Sequence, residues 1–293
     1  ELFETPQVFT MVYNNQKTPD EVLNTAVPDF VRKYMGIRLS ELKEKPTFVY
    51  NTWEPFNKNI NEKLVLELAK AAADAGMKEF IIDDGWQDSY GDWGIDYKKF
   101  PNGLKPVFDY IKSLGMKPGL WVSIGSAAPS SKVYKAHPEW FVEDSDGNHT
   151  SLHAPGDKEK FTACFGTGWY DYIKEILLKM AMEYGIEYYK LDFAVVTSAY
   201  TYDHNQSGCY STDHPDHKDH NESLFTNYER LWQLFNELHK AKPELFIDCT
   251  FETLGGTQAI DYALVKYAEG DWLSNFQGAA GEKIPVNLTA KTL

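Results

Sequence analysis

The chain has 293 residues, 43% hydrophobic and 25% charged, which excludes a disordered tail, a collagen-like fibre and a coiled coil and leaves one α/β barrel or two smaller domains. Its 29 Lys+Arg against 43 Asp+Glu give a net charge of −14, a surface that repels phosphate backbones and anionic lipid, so no nucleic acid and no membrane is expected as a partner. No apolar run approaches the roughly 20 residues of a spanning helix, the N-terminus ELFETPQVFT lacks a signal-peptide profile, and the three cysteines, Cys164, Cys209 and Cys249, show no CxxC spacing.

In chain order, residues 1–45 carry Pro6, Pro19 and Pro28 and suggest a lead-in from an upstream domain, with a barrel domain over 46–293. A first strand is expected in TFVYNTW at 47–52. Residues 61–75 have apolar residues at helical spacing, stop at Gly76, and lead into a second strand at 79–84 in KEFIIDDGW. The same helix, Gly and strand order returns as PVFDYIKSLG before a third strand at 117–123, and as WYDYIKEILLKMAMEYG before a fourth at 187–193. A further helix over 224–241 stops at Lys242-Pro243 and precedes a fifth strand at 245–250; ALVKYAEGD suggests a sixth at 264–269.

Strands that alternate with helices form a parallel sheet. The polar residues gathered at the strand ends suit the carboxyl face of a (β/α)8 TIM-type barrel, whereas a Rossmann sheet would want a GxGxxG after its first strand, and none is present. Six strands do not close an eight-stranded barrel. The expected fold is therefore an incomplete barrel of about six βα units, with two strands unrecognised or the chain a fragment.

The period of two along YYKLDF puts Tyr188, Lys190 and Asp192 on one face, opposite Tyr189, Leu191 and Phe193. A cation beside Asp192 favours its ionised form, which suits a nucleophile; a structural ion pair is the plainer alternative. FIIDDGW sets Asp83 beside Asp84, an arrangement that needs partners from outside, sugar hydroxyls or a cation; helix capping by Asp84 with a packed Trp86 is the alternative. In AEGDW either Glu269 or Asp271 is placed to act as an acid opposite Asp192, and periodicity does not separate them. Trp53, Trp121 and Cys249 also close strand runs, although a lone Cys is more often a small core residue. The aromatic share of 15% suits stacking on sugar rings. The run from Tyr202 to His220 alternates Asp203, His204, Asp213, His214, Asp216, His217, Asp219 and His220; it has no helical or strand scaffold and suggests a solvated loop, so neither a metal nor a cofactor is expected.

Taken in order, NTWEPF, FIIDDGWQ, KPGLWVS, YYKLDF, IDCTFETLGG and GDW resemble the successive strand ends of the α-galactosidases of glycoside hydrolase family 36, over roughly residues 45–275. The resemblance implies a barrel flanked by β-domains in a longer chain, a retaining two-carboxylate hydrolysis of terminal α-linked galactose, Asp192 as nucleophile and Asp271 as general acid/base. It implies that Trp53, Asp83, Asp84, Trp121, Lys190 and Cys249 hold the terminal sugar of an oligosaccharide or glycoside. Departures lie at the mouth: SIGSAAP where the family has a Glu-Pro-Glu type run, Ile247 for a glutamate, FETLGGTQ for a Gly-rich run ending in Arg, and Gly270 for a Ser. A galactosyltransferase of raffinose-synthase type and a sugar-binding protein without catalysis are the competing readings.

Overall fold

The computed structural model describes residues 10–14, 16–43, 48–150, 160–194, 208–250 and 262–272. The chain divides into two compact units, Glu1–Ile37 with Phe276–Leu293, and Arg38–Asn275. In the first, Thr18 caps helix α1 (Pro19–Asn24) by a reciprocal pair of bonds: its hydroxyl accepts from the Glu21 amide, and its own amide donates to the Glu21 carboxylate. Helix α2 (Ala26–Phe30) follows and runs into a π-helical turn, Val31–Met35.

The second unit is a parallel half-barrel sheet. Six strands, β1 (Val49–Asn51), β2 (Glu79–Ile82), β3 (Lys117–Ser123), β6 (Tyr188–Asp192), β7 (Phe246–Thr250) and β8 (Gly270–Trp272), lie side by side in that order, all parallel. Between β3 and β6 the chain makes an excursion in which β4 (Ser126–Ala127) pairs antiparallel with β5 (Phe161–Thr162). The helices of this unit are α3 (Trp53–Phe56), α4 (Glu62–Asp74), α5 (Lys105–Ser113), α6 (Lys132–Ala136), α7 (Trp169–Glu183) and α8 (His220–Ala241).

Local chemistry sets these bounds. Asn61 caps α4 by accepting from the Leu64 amide, and the chain leaves the helix at Gly76 with φ +85°, a left-handed conformation that only glycine enters without strain. Asp219 caps α8 by accepting from the amides of Asn221 and Glu222. The apolar faces of α4, α5, α7 and α8, among them Val65, Phe108, Ile173 and Leu234, pack with Phe80, Leu120, Leu191 and Ile247 of the strands in one core.

The last expected strand is displaced. Residues Leu264–Lys266 form a turn of 3-10 helix and the strand begins at Gly270, not within 264–269. Leu264 and Ala268 are both buried and the Ala268 amide bonds the Leu264 carbonyl, so the apolar spacing that suggested a strand is helical. Trp53 likewise opens the short helix α3 instead of ending a strand. Among the described residues no helix is long and apolar enough to cross a membrane.

Candidate active site

The two faces of β6 are separated by what their side chains meet. The Tyr189 hydroxyl donates to the Leu177 carbonyl of α7 at 2.7 Å, so Tyr189 looks toward the helices. On the other face Lys190 Nζ donates to Asp83 Oδ2 at 2.9 Å, and both residues are buried. Asn51 Nδ2 donates to the same oxygen at 2.6 Å, while the Asp83 amide donates to the Thr52 hydroxyl at 2.9 Å. Side chains of β1 and β6 thus converge on one carboxylate at the end of β2, with β3 lying between β2 and β6. Burial pushes the Asp83 carboxyl upward against the opposing pull of Lys190. For Lys190, burial works against the charge, but Asp83 and then Asp192 outweigh it and leave the ammonium above its usual range.

Asp192 closes β6 half-buried. Trp121 Nε1 donates to its Oδ2 and the Phe193 amide to its Oδ1, each at 2.9 Å. Phe193 takes φ +50°, a strained conformation for a bulky residue, and its carbonyl lies where a Cβ on Gly125 would come within 2.0 Å. The SIGSAAP run therefore has no room for a larger residue at 125.

Asp84 finds its donors inside the chain, contrary to the expectation that they come from outside. Gln87 Nε2 donates to it at 2.6 Å, the Tyr90 hydroxyl also donates, and Lys58 Nζ stands 3.5 Å away. The reason is the Gly-Trp-Gln turn after β2, which folds Gln87 and Tyr90 back over the carboxylate. Trp86 is packed away, its Nε1 donating to the Trp121 carbonyl at 2.9 Å. Trp53 is half-buried, its amide bonded to Asn51 Oδ1 at 2.7 Å.

On β7 the register aligns Tyr189 with Ile247, Lys190 with Asp248, and Leu191 with Cys249. Asp248, accepting from the Tyr188 hydroxyl at 3.0 Å, therefore shares the face of Lys190. Cys249 falls on the face of Tyr189 and Leu191, fully buried in the core beneath the helices, which corrects its expected place at the mouth. Burial pushes Asp248 up to about 6, with Tyr188 and Lys190 pulling it down and Asp192 and Asp83 pushing it further up. Sequence reasoning missed Asp248 although LFIDCTF was in view, because period two gives alternation without saying which phase faces inward. It also missed Tyr90, Lys58 and Lys160, whose Nζ lies 3.8 Å from the centre of the Tyr90 ring.

Glu269 is fully engaged elsewhere. Its carboxylate meets Arg38 Nε at 2.9 Å and His239 Nε2 at 3.0 Å and accepts from the Ile247 amide at 2.8 Å. Asp271 stands on β8 in register with Cys249, and its carboxyl lies outside the described residues, as do Asp203, His204 and the FETLGGTQ loop. The rest of the His/Asp run is not one solvated loop: Asp219 caps α8, and His214 and His217 are buried beside Cys164 and Cys209.

The Melibiase family model matches residues 2–291, nearly the whole chain. The chain belongs to the Melibiase family. Among this family member's relatives, an Escherichia coli alpha-galactosidase is 36% identical over 155 residues, 50% of this chain and 20% of that protein. The alpha-galactosidase Mel36A of Lactobacillus acidophilus is 28% identical over 296 residues, 94% of this chain and 36% of that protein. The crystal structure of the GH36 alpha-galactosidase AgaA of Geobacillus stearothermophilus superposes with a TM-score of 0.66 at 22% identity, over 80% of this chain and 31% of that one. The likeness in structure shows the shared fold, and this family member spans between a fifth and about a third of the length of these relatives.

Proposed function

We propose that this Melibiase-family chain carries the catalytic face of a retaining, exo-acting α-galactosidase, and that its six parallel strands are βα units of a (β/α)8 barrel. The observation that carries the reading is the clamp on Asp192, a carboxylate held by two N–H donors at the carboxyl end of a central strand, beside a charged Lys190. A carboxylate fixed in this way is oriented for in-line attack and keeps a preorganised environment through the reaction. Asp192 attacks the anomeric carbon while Asp271 gives a proton to the departing oxygen; Asp271 then takes a proton from water, which attacks the glycosyl–enzyme ester and frees Asp192. Retention requires the two carboxyls about 5–5.5 Å apart.

Trp53, Asp83, Asp84, Trp121 and Lys190 would hold the sugar, the carboxylates accepting from hydroxyls and the ammonium donating to one. Asp248, not Cys249, has the inward position on β7. AgaA variants have been solved in complex with raffinose and with stachyose, which supports an oligosaccharide of that class as substrate here.

The test uses the complete reading frame. Hydrolysis of an aryl α-galactoside with the α-anomer as first product, followed by proton NMR, together with loss of several orders of magnitude in kcat in Asp192→Asn, is the expected result. A β-anomer as first product would overturn retention; activity within about tenfold of the parent, ~1.4 kcal/mol on the barrier, would remove Asp192 from the role.

A further inference from the structure

Four side chains from two separate stretches of sequence meet at one buried point. Cys164 follows β5 in the excursion between β3 and β6, Cys209 stands in the segment before α8, and His214 and His217 follow five and eight residues later. All four are buried, and one potential ligand atom from each lies within 4.8 Å of every other. We propose that Cys164, Cys209, His214 and His217 bind a tetrahedral zinc ion that ties the β4–β5 excursion to the segment entering α8.

The spacing of the atoms carries the argument. Cys164 Sγ lies 3.4 Å from His217 Nε2, Cys209 Sγ 3.3 Å from His214 Nδ1, and the two imidazole nitrogens 3.1 Å from each other. Zinc bonds of about 2.3 Å to sulfur and about 2.0–2.1 Å to nitrogen, at tetrahedral angles, put neighbouring ligand atoms about 3.3–3.8 Å apart. The observed separations lie at the short end of that range or, for the two nitrogens, just below it. Two thiols and two imidazoles facing inward offer mostly lone pairs and few good donors, so hydrogen bonds among themselves satisfy them poorly, whereas a cation satisfies all four at once.

The groups behind the ligands are set for the same task. His214 Nε2 lies 2.8 Å from the Glu139 carbonyl, which only accepts; the proton therefore sits on Nε2, and Nδ1 turns its lone pair to the cluster. Asn227 Nδ2 donates to Cys164 Sγ at 3.5 Å, and its orientation is fixed by the Phe165 amide, which donates to Oδ1 at 2.8 Å, and by its own bond to the Ser223 carbonyl at 2.7 Å. A donor held toward sulfur suits a thiolate. A Cβ on Gly166 would stand 3.1 Å from His217 Cδ2, so the backbone approaches this imidazole closely. Four protein ligands leave no open position, which makes the role structural.

Beside the two cysteines, the described residues of this small buried cluster include only Val142, so metal binding supplies stability that apolar burial there does not. The pattern Cys-x4-His-x2-His with a distant Cys is invisible to a search for CxxC.

The full-length protein, purified without a polyhistidine tag or chelator and under reducing conditions, is expected to contain one zinc per chain by elemental mass spectrometry. X-ray absorption at the zinc edge should show two sulfur neighbours at about 2.3 Å and two nitrogens at about 2.0–2.1 Å. Because Cys209→Ser and His217→Ala each remove a ligand and with it a support of the fold, the parent protein is also stripped with a competing chelator: its melting temperature should fall, and zinc, not magnesium, should restore it. Replacement by cobalt should give the thiolate charge-transfer absorption of a tetrahedral site. Absence of stoichiometric zinc with no uptake on addition, a shell of oxygen and nitrogen alone, or a Cys164–Cys209 disulfide in the reduced preparation would overturn the proposal.

Discussion

Trp121 Nε1 donates to Asp192 Oδ2 at 2.9 Å, so an aromatic residue of β3 holds the carboxylate that closes β6. The indole packs edge-on against Tyr90 and Trp93, with ring centres 5.9 Å and 6.0 Å away, which locks its orientation. Trp121→Phe keeps much of that packing, and the main-chain carbonyl that receives Trp86 is untouched. What is lost is one hydrogen bond to a charged group, worth about 1.5–3 kcal/mol, so kcat/KM should fall roughly 10–100-fold with little change in melting temperature. Steady-state kinetics alongside a thermal melt decide it; unchanged kinetics would show that the clamp does not orient the reacting oxygen.

Lys190 and Asp83 form a buried pair at 2.9 Å, with side chains 5% and 2% exposed. Removing one partner of such a pair strands the other, at about 3–5 kcal/mol. Lys190→Met should destabilise by that amount, and adding Asp83→Asn should recover part of the loss, because the stranded carboxylate is then gone. Denaturant unfolding of the parent, both single variants and the double variant measures the coupling. Additive effects within about 0.5 kcal/mol would mean that the two groups do not depend on each other.

How much of this was legible in the sequence differs from element to element. The first five strands and their intervening helices were, because apolar runs alternate with Gly or Pro stops and the two periods differ. The sixth was not: in ALVKYAEGD the apolar spacing fits both periods, and Leu264 and Ala268 turned out to share a helical turn. The pairing of Lys190 with Asp83 lay beyond the text because it joins residues 107 positions apart. Asp248 was missed for a subtler reason. Neighbouring parallel strands share a face only through their register, and register is a property of the sheet. The Cys164, Cys209, His214 and His217 cluster escaped for both reasons, being assembled across segments that carry no common motif.

Asp248 is buried and its carboxyl is pushed up to about 6, first by burial. In the unfolded chain it ionises near 3.8, so between these values the fold keeps a proton that the unfolded chain has released. The stability this group contributes is present below about pH 4 and is lost as the pH rises through about 6. Asp248→Asn retains an acceptor for the Tyr188 hydroxyl and has no charge to bury. Its stability relative to the parent should therefore rise between pH 4 and pH 6.5 by about 1–3 kcal/mol and level off above. Denaturant midpoints taken across that interval test it, and a difference that stays flat would mean that Asp248 does not hold its proton in the fold.

Glu269 and Asp271 stand two residues apart, and the structure shows what holds the first of them. The Glu269 carboxylate is fully buried between Arg38 and His239 and accepts from the Ile247 amide, so it has a structural task at the entry to β8. Glu269→Gln keeps an acceptor for the amide but leaves the Arg38 guanidinium without its charge partner. It should cost about 3 kcal/mol or more of stability while kcat at a temperature below the melt stays within about tenfold of the parent. Asp271→Asn should behave in the opposite way. If Asp271 protonates the leaving oxygen, its loss slows glycosides with poor leaving groups by about 10²–10⁴-fold, whereas an aryl galactoside with a strongly acidic phenol needs little protonation and still forms the glycosyl–enzyme. For that substrate the second step becomes limiting, since water lacks its base, and azide, which needs none, should speed turnover and give an α-galactosyl azide. The pair of variants therefore yields two signatures, a stability loss at 269 and a leaving-group dependence with azide rescue at 271. Leaving-group dependence and azide rescue in Glu269→Gln, with neither in Asp271→Asn, would transfer the acid/base role to Glu269.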